Sequence, residues 1–76
     1  MDRKQLPHGP LELFVIYDHP ADYPGYFVVR RWFGAKPTSD FAVADTIEAA
    51  RAEVPAGLHC LARQPGDDPV IVETWI

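Results

Sequence analysis

The stretch Ala44–Gly57 (Ala-Asp-Thr-Ile-Glu-Ala-Ala-Arg-Ala-Glu-Val-Pro-Ala-Gly) is the one segment of this chain that reads as a helix, and it constrains the fold more than any other. Asp45 is placed to cap the first turn, with Glu48 reaching back to the Asp45 N–H in a capping box. Pro55 interrupts the backbone ladder and disfavours helical geometry at Val54, and Gly57 is free to take the left-handed conformation that turns the chain away. On a wheel of about 100° per residue, Val43, Ile47, Ala50 and Val54 form a single apolar stripe. One stripe calls for one apolar platform, which the remaining segments have to supply as a sheet.

Four segments have strand character. Leu11–Asp18 is rich in branched and aromatic side chains and too short for a lone helix. His19–Gly25, with two prolines and a glycine, reverses the chain, and Tyr26–Gly34 returns as the second strand of a hairpin. Ala35–Ala44 is expected to cross to the helix as a loop through Lys36, Pro37, Thr38, Ser39 and Asp40, with Phe41 pinning it to the core. Leu58–Gln64 is a third strand, Pro65–Pro69 a tight connection, and Val70–Ile76 a fourth strand. Met1–Pro10, broken by Pro7, Gly9 and Pro10, is expected to be a flexible tail, leaving 11–76 as a single domain. The expected fold is therefore α+β, ββαββ, with one helix packed on one face of a mostly antiparallel four-stranded sheet.

Alternation then divides the side chains. If the wider aliphatic set faces the helix, Leu13, Val15, Phe27, Val29, Cys60, Val70 and Val72 lie beneath it. The opposite face carries Phe14, Ile16, Tyr26, Val28, Arg30, Trp32, His59, Leu61, Arg63, Ile71, Glu73 and Trp75, with no second helix to cover them. Monomers seldom expose a contiguous apolar patch beyond a few hundred Å². Trp32, Trp75, Tyr26 and Arg30 are moreover residue types that dominate binding energy at interfaces.

Composition excludes several classes. The 76 residues contain no run of about 20 apolar side chains, which argues against a membrane span. Met1-Asp-Arg-Lys-Gln lacks the apolar segment of a secretory leader, so a cytoplasmic location is expected. A formal charge of -4 has the wrong sign for binding nucleic acid. His8, His19, His59 and Cys60 show no metal-ligand spacing, and no glycine-rich phosphate loop is present, so neither metal nor cofactor is expected. No catalytic group stands out: Asp18-His19 lacks a nucleophile motif, and Asp67-Asp68 reads as turn chemistry.

Two readings of function follow. In the first, the chain is a small interaction module, a homodimer or the partner of another protein, docking through the uncovered sheet face with Tyr26, Arg30, Trp32, His59, Arg63, Glu73 and Trp75. In the second, the same face forms a pocket for a small anionic ligand or minor enzymatic chemistry. Arg30 with His59 or Arg63 then receives a carboxylate or phosphate, Trp32 and Tyr26 stack beside it, and His59 or His19 moves a proton. Arg30 and Arg31 face opposite ways in their strand. Glu73 or Glu12 is available as a cross-strand partner for one of them, and Asp40 or Glu48 for the other.

Overall fold

The computed structural model describes residues 12–76. The expected tail 1–10, and Leu11 as the first residue of a strand, lie outside the described residues. The elements run β1 (Glu12–Asp18), β2 (Phe27–Phe33), β3 (Lys36–Ala44), α1 (Ile47–Ala52), β4 (Cys60–Ala62) and β5 (Ile71–Trp75). They form a small α+β domain in which one antiparallel sheet is ordered β3-β2-β1-β5-β4.

The sheet has five strands, not four, because Lys36–Ala44 is a strand and not a crossing loop. Gly34, at φ +62°, opens a tight turn that pairs Phe33 directly with Lys36. Pro37 is accommodated because β3 lies at the edge of the sheet and is bulged between the Arg30–Phe41 and Trp32–Pro37 pairs. Within the bulge the Thr38 hydroxyl donates to the Arg31 carbonyl at 2.7 Å and accepts from the Asp40 N–H at 3.1 Å, replacing ladder bonds that the irregularity removes.

Register also corrects the division of faces. Loop residues 19–26 join Asp18 to its partner Phe27, which sets Phe14 opposite Arg31 and Ile16 opposite Val29. Phe14 and Ile16 therefore share a face with Phe27 and Val29, and that face carries the helix. Leu13 and Val15 lie on the other face. In β5, Ile16 pairs with Glu73 and Tyr17 with Ile71, so Val72 is an extra residue. This bulge turns Ile71 away from the helix while Val72, Glu73 and Trp75 remain on the helix side. Cys60, expected beneath the helix, shares that side by register but is exposed, because β4 is a three-residue edge strand.

The helix begins one residue later than its sequence implies. Thr46, in extended geometry, is the cap, and its hydroxyl accepts from the Ala49 N–H at 3.1 Å. A six-residue helix has little stability of its own, so tertiary contacts hold it. Ala50, fully buried, packs on Ile16 and Val29, flanked by Ile47 and Val54 from the expected stripe. Val43, the fourth member of that stripe, sits instead on β3 and is exposed.

The second attachment is polar. Arg51 Nε and Nη2 donate to the two Glu73 carboxylate oxygens at 3.0 Å each, and Trp75 Nε1 donates to Glu73 Oε2 at 2.8 Å. Glu73, only 6% exposed, is thus a buried anion supplied with donors. The Arg51 bonds hold its carboxyl below the usual 4.5, against the opposing effect of burial, with the Trp75 bond assisting.

A depressed folded pKa means that this contribution to stability is present above pH 4.5 and is lost as pH falls through the lower folded value. Urea unfolding over a pH series should show wild-type stability declining across that acid range, and Glu73→Gln should flatten the decline. Thr46→Ala should cost about 1 kcal/mol at neutral pH in the same assay.

Candidate functional site

The helix-free face can be described row by row from the register. The central row crosses all five strands as Phe41, Arg30, Val15, Thr74 and Leu61. On one side of it lie Pro37, Trp32 and Leu13, and on the other Val43, Val28, Tyr17 and Ile71. Val15 and Val28 are only 5% and 3% exposed although, among the described residues, no helix lies over them.

Neighbouring side chains provide that cover. Trp32 and Tyr17 stand in the rows on either side of the Val15–Arg30 pair, four register positions apart, and meet across it, where Trp32 Nε1 donates to the Tyr17 hydroxyl at 2.9 Å. At the loop end, Tyr23 packs on Phe41 with ring centroids 5.5 Å apart. The loop is shaped by the Tyr23 N–H to Pro20 carbonyl and Tyr26 N–H to Tyr23 carbonyl bonds, and the His19 N–H to Tyr26 carbonyl bond closes it. Between these parts lies an open hollow of about 250 Å³, lined by Tyr17, Pro20, Asp22, Val28, Arg30, Trp32 and Pro37.

The two neighbouring arginines have different surroundings. Arg31, on the helix side, donates to Asp40 at 2.8 and 3.0 Å and to Glu12 at 2.9 Å. The hydrogen bonds to Asp40, then to Glu12, raise its already high pKa further. A second hollow beside it, about 200 Å³ and including Phe14, Val29 and Ala42 in its lining, thus contains an arginine already paired with acids. Arg30, half-buried on the helix-free face, donates from Nη1 to the Thr38 carbonyl at 2.7 Å and lies 4.8 Å over the Phe41 ring. Among the described residues no carboxylate forms an ion pair with it.

The residues singled out in the sequence therefore scatter. Arg30 and Trp32 come together in the hollow, while Tyr26 is exposed at the end of the loop and outside the lining. His59 and Arg63 flank β4, three strands from β2 and thus roughly 14 Å away in strand spacings. Glu73 and Trp75 are on the helix side. His19, at φ +50°, points Nδ1 at the Asp18 carboxylate and packs edge-on to Phe27, with ring centroids 5.1 Å apart. Tyr17, Pro20, Asp22 and Pro37 are additions to the site, and Phe41 joins it as the support of Arg30. The connection 19–26 is one residue longer than the His19–Gly25 loop expected from the sequence, and its even count places odd positions of β1 beside even positions of β2, which brings Tyr17 to the site.

Among the described residues no group of three or more His, Cys, Asp and Glu side chains comes together to hold a metal ion. Cys60 is exposed, and desolvation together with the nearby Glu73 carboxylate raises its thiol above the usual 9.0, which disfavours the reactive thiolate. Burial raises the Tyr17 phenol above its usual 10.0, opposed by the Trp32 hydrogen bond and the charge of Arg30. Tyr17 is thus a neutral donor at physiological pH. Compared with protein-family models, curated proteins and solved structures, the chain matches none.

The Trp32 N–H stabilises the phenolate form of Tyr17, so removing it should raise the pKa further. In an NMR titration the Tyr17 ring resonances should shift only above pH 10 in the wild type, and at still higher pH in Trp32→Phe.

Proposed function

We propose that the chain is a small cytoplasmic interaction module that self-associates through the helix-free face of its sheet. The observation that carries this reading is the distribution of exposed apolar side chains across that face. Phe41 and Val43, each 42% exposed, lie at one edge and Leu61, 46% exposed, at the other. Between them are the half-buried Leu13, Tyr17, Trp32 and Ile71. A second copy placed face to face would cover both patches, and a two-fold arrangement matches like surface with like. The lone thiol of Cys60 suits a reducing compartment.

Size sets the strength of the association. Five strands about 4.8 Å apart, the central ones seven residues long at roughly 3.3 Å each, give a face of roughly 20 by 23 Å, or about 450 Å². Such a face is smaller than the roughly 800 Å² per partner of a standard stable interface. The dimer is accordingly weak and in rapid exchange with monomer.

Sedimentation equilibrium over a wide concentration range should give a mass that rises towards twice that of the chain. The double substitution Val43→Lys/Leu61→Lys, at exposed positions on opposite edges, should hold the chain monomeric while its amide spectrum stays dispersed. A wild-type chain that sediments as a monomer at every concentration excludes self-association.

A further inference from the structure

We propose that the hollow beside Arg30 binds a small monocarboxylate with a flat apolar body, its carboxylate held by the Arg30 guanidinium and the Tyr17 hydroxyl. This site is lined by residues of one chain, but Tyr17 and Trp32 also belong to the face proposed for self-association, so a bound ligand and a second copy compete for it.

The cation comes first. The bond from Nη1 to the Thr38 carbonyl, at 2.7 Å, is the guanidinium's one hydrogen bond among the described residues, and the Phe41 ring lies against it. A carbonyl and an aromatic face orient a guanidinium without neutralising it, and its remaining N–H donors stay available. Among the described residues no carboxylate pairs with this half-buried cation, although Asp22 lines the same hollow, so a ligand carboxylate can supply the anion. The adjacent Arg31, paired with Glu12 and Asp40, shows how the same side chain looks when the protein supplies its own acids.

The second donor is Tyr17. Its oxygen accepts the Trp32 N–H, and its own proton has no acceptor among the described residues. Because burial keeps the phenol protonated, that proton is available to a ligand oxygen.

The walls and the field narrow the ligand class. Trp32, Val28, Pro20 and Pro37 offer flat or apolar surface to the body of a ligand. A cavity of about 150 Å³ holds benzene, so the hollow of about 250 Å³ admits a molecule the size of benzoate. Asp22 on the lining, Asp68 near Tyr17 and the overall charge of -4 repel a second negative charge, which disfavours phosphate and dicarboxylates.

The test follows the Trp32 indole N–H resonance while benzoate is added. Benzyl alcohol serves as the neutral counterpart and inorganic phosphate as the dianion. Benzoate should shift the resonance saturably, with the other two at least about tenfold weaker. Arg30→Gln should weaken benzoate by about tenfold or more, since it removes a charge-assisted contact. Tyr17→Phe should weaken it several-fold, and Arg63→Gln, at the far edge of the sheet, should leave it unchanged. If Arg30→Gln loses its amide dispersion, Tyr17→Phe and the comparison with benzyl alcohol decide. The titration is repeated on the monomeric Val43→Lys/Leu61→Lys chain, where binding is expected to be as tight or tighter because no second copy covers the hollow. A shift that never saturates, equal binding of benzyl alcohol or phosphate, indifference to both site substitutions, or binding confined to the self-associating chain would overturn the proposal.

Discussion

The rest of the structure depends on how a helix too short to stand alone is fastened to its sheet. Ala50 supplies close packing on Ile16 and Val29, and Arg51 supplies a two-pronged grip on Glu73. Side-chain burial against the core attaches the helix without fixing its rotation, whereas two hydrogen bonds to one carboxylate set its direction. Trp75 contributes to both, packing against the core while donating to the same carboxylate. Both the indole and the acid are thereby occupied within the chain, and the chemistry of the helix side is largely satisfied internally.

The other side has a different character. Its buried residues, Val15 and Val28, lie beneath single side chains and a loop, with no secondary-structure element among the described residues over them. Such cover leaves apolar surface at the edges and a depression in the middle, so one face combines exposed apolar side chains with an open hollow. The contrast between Arg30 and Arg31 follows from strand geometry: adjacent positions point to opposite faces, and among the described residues only Arg31 has carboxylates at ion-pair distance.

How much was legible in the sequence differs by element. The helix, the first hairpin and the last strand were legible because each has a strong local pattern: a 3.6-residue stripe, branched and aromatic runs, proline and glycine at the breaks. Lys36–Ala44 was hidden because Pro37 and the polar run around it carry loop propensity, which edge location and a bulge overrode. The faces of β1 were misassigned by choosing them from hydrophobicity alone, although the connection 19–26 determines which positions align. Glu73 and Trp75 were misplaced for another reason. The extra residue Val72 shifts the alternation of β5, and nothing in Val-Ile-Val-Glu-Thr-Trp announces it. Arg30 and Trp32, singled out by residue type, line one hollow, while the residues around them required three-dimensional knowledge.

The two borders of the sheet limit how such molecules can assemble. One border is three residues long, and the other is interrupted by a proline and an irregular register. Neither offers a long, regular row of unpaired amides on which another chain could continue the ribbon. Edge-to-edge growth is thereby discouraged, whereas a two-fold contact of one face with itself, as in the proposed self-association, closes at two copies and does not propagate into a fibre.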